Sequence, residues 1–202
     1  MKAYKVIALG VLLNDEYDIS KIEQSFKKFS CQREVDLENF LINKAVTYER
    51  ANIGKTYLLI DLNELEQGIF SVMAYYTIAQ KAIDISELSA KRKRKMLGDY
   101  PGRDSLKSIP AYLIGQLGRN DGYKADEISG EQILNECYHS ISIAAQVVGG
   151  NLVILECREK MFECVYKDKG FRKLYDELNE EKLYTLYKKI DFTEYWSRYY
   201  NT

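Results

Sequence analysis

Ile109-Pro110-Ala111-Tyr112-Leu113-Ile114-Gly115-Gln116-Leu117-Gly118-Arg119-Asn120 is rich in strand formers and opens onto a polar loop, Asp121 to Ile128. A helical pattern then begins at Ser129. Leu134, Cys137, Tyr138, Ile141, Ala144, Ala145 and Val148 recur over several turns at helical spacing, and Gly149-Gly150 supply the stop. Leu152 to Leu155 follow as the continuous apolar run expected of a central strand covered on both faces. A strand that delivers the chain to a helix N-terminus sets unpaired backbone N–H groups and the positive dipole end at one place. Such a place can hold a pyrophosphate with few charged side chains.

Outward from this stretch, strand-like and helix-like patterns alternate, the signature of an α/β layer fold. Tyr4, Val6 and Ala8 fit an opening strand. Met1 to Leu13 is the one segment with the look of a signal peptide, and Asn14-Asp15-Glu16 follows it without a small-residue cleavage pattern, so that reading is rejected. Asp36 is the expected N-cap of an amphipathic helix carrying Leu37, Phe40, Leu41, Ala45 and Tyr48. Thr56 to Leu62 and Phe70 to Ile78 predict a strand hairpin, with Asn63 to Gly68 as a polar connection. Ser86 to Ser108 predicts a short basic helix and then a loop, broken at Gly98 and Pro101-Gly102. Met161 to Lys169 predicts a short helix stopped by Gly170 with Phe171 behind it. Near the end, Leu183, Leu186, Tyr187 and Ile190 fit a helix, while the alternation from Leu183 to Lys188 fits a strand. The aromatic tail Tyr195-Trp196-Ser197-Arg198-Tyr199-Tyr200 is expected to pack on the body or to form a dimer contact.

With 202 residues, two prolines and 46% hydrophobic residues, the chain has the size of one globular domain, 1–202. No uninterrupted apolar run approaches the about 20 residues of a membrane helix, so no membrane partner is expected. Cys31, Cys137, Cys157 and Cys164 show neither metal-ligand spacing nor disulfide density, and read as reduced core thiols of a cytoplasmic protein. The single histidine, His139, argues against a histidine triad or a multi-histidine metal site and falls off the apolar stripe of its helix. A net charge of −1 argues against bulk coating of nucleic acid, yet Lys91-Arg92-Lys93-Arg94-Lys95 is an unbroken cationic run. It reads either as a solvated face or as a phosphate-contacting patch.

From about Ser30 to Phe171 the ordered set resembles the GNAT family of N-acetyltransferases. The resemblance implies a mixed central β-sheet flanked by helices, with splayed central strands, and acetyl-CoA as cofactor. It implies Leu117, Gly118 and Arg119 against the pantetheine arm, and Lys124, Ile128, Ser129 and Gly130 at the pyrophosphate. The family's usual loop is Arg/Gln-x-x-Gly-x-Gly/Ala, whose glycines admit close backbone approach to phosphate. Here Lys124-Ala125-Asp126-Glu127-Ile128-Ser129-Gly130 stands instead, and Asp126 and Glu127 would repel phosphate if they faced it. Gly115 to Gly130 is similar to GNAT-like proteins of Gram-positive mobile elements.

Phe29 to Leu41, with Thr56 to Leu59, resembles the opening of the GNAT toxins of toxin–antitoxin pairs, which acetylate the amino group of aminoacyl-tRNA. Val165-Tyr166-Lys167-Asp168-Lys169-Gly170-Phe171 is similar to the family's Phe-Tyr-x-x-x-Gly-Phe element, which implies Tyr166 as general acid. A phenol with a pKa of about 10 remains a proton donor at neutral pH and suits a departing thiolate. The implied reaction is direct acetyl transfer to a primary amine, without a covalent enzyme intermediate. Glu156 and Glu159 lie near the expected site, and neither is singled out as general base. Three classes stay open: an aminoacyl-tRNA acetyltransferase using Lys91, Arg92, Lys93, Arg94 and Lys95 on its substrate, an acetyltransferase of protein or small-molecule amines, and a non-catalytic binding module of GNAT fold. The toxin branch implies an antitoxin partner, and a homodimer is a further expectation.

Overall fold

The computed structural model describes residues 1–14, 19–193, 195 and 196. In chain order its elements are β1 (Tyr4–Ala8), α1 (Leu9–Asn14), α2 (Ile19–Phe26), α3 (Val35–Asn43), α4 (Ala45–Arg50), β2 (Lys55–Asp61), α5 (Leu62–Glu66) and β3 (Val72–Asp84). There follow α6 (Ala90–Leu97), a 3-10 turn (Arg103–Ser105), β4 (Ser108–Arg119), α7 (Gly130–Val148), β5 (Leu152–Cys157), α8 (Glu159–Met161), a π turn (Phe162–Tyr166), β6 (Arg172–Lys173) and β7 (Tyr184–Lys189). The strands form a seven-stranded mixed sheet of order β1-β2-β3-β4-β5-β7-β6. The chain divides into two compact units, Met1–Ala79 with Gly115–Ser140, and Gln80–Ile114 with Ile141–Thr202.

In the first unit, β1 and β2 pair antiparallel from Tyr4↔Asp61 to Ala8↔Tyr57, and β2 pairs antiparallel with β3. Their apolar side chains and those of the flanking helices close one core, with Leu9, Phe26, Leu41, Leu58, Ile60 and Tyr75 fully buried. The helix expected from Asp36 to Tyr48 is instead two short ones. Its N-cap is Glu34, and at Lys44 the backbone leaves helical geometry (φ −122°, ψ −30°) while the Lys44 N–H still reaches Phe40 O. The kink lets Phe40, Leu41 and Ala45 all enter the core. Asn63 to Gly68, expected as a polar connection, begins inside α5, because the Asp61 carboxylate accepts from the Asn63 and Glu64 N–H groups (3.1 and 3.4 Å) and caps that helix. The first half of α7 is tied down by tyrosines: Tyr4 donates to Glu136 Oε1 (2.8 Å), and the Tyr76 hydroxyl meets Glu136 O (3.1 Å) and Ser140 Oγ (2.7 Å).

Glu49 is one of two buried acids of this unit among the described residues, 5% exposed. Its carboxylate accepts from Lys55 Nζ (3.0 Å) and from the buried Thr56 N–H (2.8 Å), and a Cβ on Gly10 would lie 2.7 Å from it. Glu49→Ala strands the Thr56 donor, so stability in urea should fall by about 1–3 kcal/mol. A midpoint and slope equal to wild type would show the carboxylate to be idle.

In the second unit the core gathers Ile83, Ile85, Met96, Leu97, Ile109, Leu152, Ile154, Leu174 and Tyr187. β4 pairs parallel with β5 over Tyr112↔Val153, Leu113↔Ile154 and Ile114↔Leu155, and that ladder ends at Ile114. The closing segment is a strand: all six residues of β7 pair antiparallel with β5, from Leu152↔Lys189 to Cys157↔Tyr184. β3 runs six residues beyond the expected Ile78, to Asp84; its outer half carries exposed polar residues, which hid it from a hydrophobicity reading. Gly149 and Gly150 end α7 at φ +75° and +92°, and the Gly149 carbonyl accepts from Tyr112 (2.6 Å). Trp196 Nε1 donates to Ser142 O (3.1 Å), and Tyr195 packs edge-on against Phe192; Ser197 to Tyr200 of the aromatic tail lie outside the described residues, as do Asp15 and Glu16. Of the four cysteines, Cys164 is exposed and so is no core thiol. Among the described residues no helix is long and apolar enough to cross a membrane.

Candidate active site

The β4–α7 loop lies within the first unit, and its sequence explains its shape. Ser129 caps α7: its hydroxyl accepts from the Gln132 N–H (3.1 Å) while Gln132 Oε1 accepts from the Ser129 N–H (2.8 Å). This reciprocal pair is a capping box, Ser-x-x-Gln. Gly130, the first helical residue, is exposed, and a Cβ on it would meet nothing within 4 Å. An anion can therefore approach the backbone at Gly130, although the Gln132 N–H is already used.

The expected cofactor residues divide by role. Gly118 faces inward, where a Cβ would stand 3.2 Å from both Leu37 and Tyr75, so its lack of a side chain lets α3 and β3 close on β4. Ile128 is fully buried. Arg119 donates through Nη1 to the Ile128 carbonyl (3.1 Å) and joins the two ends of the loop. Leu117 is half-buried on β4, Lys124 is exposed and Ser129 half-buried. Gly118, Arg119 and Ile128 thus build the loop, while Lys124 and Gly130 are exposed on it and Ser129 is half-buried. The acids about the helix N-terminus differ in setting, with Glu131 in the first turn of α7. Glu127 turns back, accepting from the Lys124 N–H (2.7 Å) and lying 3.8 Å from Lys2 Nζ. Asp126 is exposed.

Tyr166 belongs to the second unit. The helix expected over Met161–Lys169 starts earlier, at Glu159, and widens into the π turn that ends on this tyrosine, closed by Lys167 N–H to Phe162 O (2.9 Å). A second five-residue step follows, Phe171 N–H to Tyr166 O (3.0 Å), around Gly170 at φ +82°. Only glycine adopts that φ without strain. The loop so formed stands Phe171 edge-on to Tyr166, centroids 5.5 Å apart, and leaves the tyrosine 9% exposed. Single π turns inside helices are frequent at functional sites.

The cationic run lies on α6, capped by Ser89. Lys91, Arg94 and Lys95 are exposed at i, i+3 and i+4 and share one side. The other two cations are engaged. Arg92 is paired with Asp176 (2.6 and 2.5 Å), and Lys93 is buried, with Nζ donating to Leu106 O (2.6 Å) and Asp104 O (3.3 Å). The expected five-residue patch is therefore a three-residue one, since a helix cannot present five consecutive side chains to one partner.

No family model matches the chain, and no curated protein matches it in sequence. Solved structures do match. AtaT complexed with acetyl-methionyl-tRNAfMet superposes with a TM-score of 0.67 at 20% identity, covering 98% of this chain and 99% of that one. A tyrosine-to-phenylalanine mutant of the AtaT toxin, bound to the C-terminus of the antitoxin AtaR and acetyl-CoA, gives 0.64 at 18% identity, covering 98% and 99%. A tyrosine-to-phenylalanine mutant of KacT gives 0.66 at 16% identity, covering 92% and 94%. The chain has the GNAT fold.

Within that fold the two candidate bases differ in setting. Glu156 is half-buried and held by Lys81 (2.9 Å). Glu159 is mostly exposed, near Lys173 (3.9 Å) and the Tyr184 hydroxyl (3.4 Å). His139 is half-buried on α7, and no three metal-ligating groups converge among the described residues.

The sequence reading missed one cluster around the loop. Asp61, fully buried, accepts from Lys2 Nζ (2.9 Å). Burial pushes its carboxyl up, but the Lys2 ammonium and the Glu64 and Asn63 N–H groups outweigh that and hold it below the usual value. Lys2 Nζ also stands 4.9 Å from the centre of the Tyr123 ring. Burial, with Glu64 and Asp61 adding, pushes the Tyr123 phenol up to about 12. Asn120 completes the loop's anchorage, donating through Nδ2 to Val72 O (3.0 Å) and accepting from the Gly122 N–H (3.0 Å). No local motif announces these contacts, because the partners of Lys2 lie at positions 61, 123 and 127.

Proposed function

We propose that the protein transfers an acetyl group from acetyl-CoA to a primary amine, with aminoacyl-tRNA as the acceptor class. The observation that carries this reading is the β4–α7 junction, a capped helix N-terminus with an open approach at Gly130, where Glu131 stands in the first turn and Glu127, before the cap, is engaged by the Lys124 N–H and Lys2. The residues fit the cofactor. Backbone at Gly130 suits a pyrophosphate, and Lys124 adds a nearby cation. Bound acetyl-CoA would supply a thioester acyl group. Tyr166, whose ring packs edge-on against Phe171, would be the proton donor for the departing thiolate. Lys91, Arg94 and Lys95 offer three positive groups to the phosphates that a tRNA-linked amine brings and a free amine lacks. AtaT has been solved with acetyl-methionyl-tRNAfMet and with acetyl-CoA and antitoxin, which supports the tRNA acceptor, the cofactor and an antitoxin partner for this chain.

Calorimetric titration with acetyl-CoA tests the reading directly. Binding should appear as heat and as thermal stabilisation, about 2.7 kcal/mol at a hundredfold excess over Kd. Absence of both at millimolar acetyl-CoA sinks the reading and leaves a GNAT-fold binding module. With cofactor bound, acetylation of charged tRNA but not of free amino acid is the expected acceptor result.

A further inference from the structure

The β4–α7 loop lacks the glycines by which its family's pattern shapes a phosphate cradle, yet it is held in one conformation at several points. Three of these meet at one side chain and its backbone. The Lys2 N–H donates to Glu127 O (3.0 Å), Lys2 Nζ lies 3.8 Å from Glu127 Oε1, and the same ammonium sits over Tyr123, four residues earlier in the loop. Lys2 is in turn fixed by Asp61, which is fully buried and already committed to capping α5. The neighbouring Ala3 carbonyl accepts from the Leu62 N–H (3.0 Å), so backbone and side chain share one anchor.

An unengaged Glu127, two residues before the cap of α7, would add a second negative charge to that of Glu131 in the first helical turn and further oppose any anion there. Lys2 removes that opposition in two ways: it draws the carboxylate toward itself, and it fixes the Glu127 backbone so that the side chain folds back to the Lys124 N–H. Buried Asp61 gives the ammonium a fixed seat, unlike an exposed ion pair between two free side chains.

We propose that Lys2, seated on Asp61, is a positioning residue for cofactor binding, which restrains the glycine-poor loop and turns the Glu127 charge away from the phosphate approach at Gly130. This rests on the acetyl-CoA reading above.

The test uses the full chain and three variants, Lys2→Gln, Glu127→Gln and the double change, with wild type alongside. Amide hydrogen exchange of the free protein should be faster across Tyr123 to Ile128 in K2Q than in wild type. The acetyl-CoA Kd should rise about tenfold in K2Q and return to within about threefold of wild type in the double variant, because removing the Glu127 charge removes what Lys2 holds off. A loss due only to looser folding would not be repaired by a second substitution. Unchanged exchange and affinity in K2Q, or a loss that E127Q does not relieve, overturns the proposal while acetyl-CoA binding by wild type stands. If wild type binds no acetyl-CoA, the cofactor reading and this role fall together, which the wild-type titration alone reveals.

Discussion

Tyr166→Phe should lower acetyl transfer by about 10²-fold while the acetyl-CoA Kd stays within about twofold of wild type. The substitution keeps the ring that Phe171 meets edge-on and the π turn that ends on it, and deletes the hydroxyl. Binding and chemistry should therefore separate. Single-turnover rates with saturating cofactor and charged tRNA measure the chemical step. An unchanged rate would remove Tyr166 from the mechanism, and a parallel loss of affinity and thermal stability would reassign it to the core.

Replacing Lys91, Arg94 and Lys95 together by glutamine should flatten the salt dependence of tRNA binding by about 2–3 units of slope, since each phosphate neutralised contributes about 0.7–0.9. Between 50 and 200 mM salt, wild type should accordingly lose roughly 20- to 40-fold more affinity than the variant. Lys93→Gln is the informative control. Its ammonium is bound to the Leu106 and Asp104 carbonyls, so the change should lower stability by about 1–3 kcal/mol and leave the slope alone. If the triple variant keeps the wild-type slope, the exposed face of α6 is merely solvated. If K93Q alters the slope at unchanged stability, the assignment of buried and exposed cations is wrong.

Much of the fold was legible because its signals are local. The stripe from Leu134 to Val148, Ser129 at its start and Gly149-Gly150 at its end each act within a turn or two of chain, and α7 occupies Gly130–Val148. The apolar run from Leu152 likewise is β5. Misreadings fell where tertiary packing overrode local preference. Asp36 looked like a cap, but Phe40, Leu41 and Ala45 must all reach one core, so the helix starts after Glu34 and bends at Lys44. The closing segment fitted both helix and strand by periodicity, the order of elements in the resembling family favoured the strand, and β5 gives that strand a partner along its whole length.

At the candidate site the division is sharper. The chain itself determined the order of strand, loop, capped helix and aromatic–glycine turn, because residue type and spacing carry that information within short windows. Which side chains face a ligand was decided only by the tertiary structure. Five adjacent cations become three because a helix turns 100° per residue and Lys93 points inward. Gly118 serves packing against Leu37 and Tyr75, and Arg119 serves the Ile128 carbonyl. The Glu127 charge is aimed by Lys2, 125 positions away in sequence and 3.8 Å away in space, a relation that exists only once β1 and the β4–α7 loop have folded side by side.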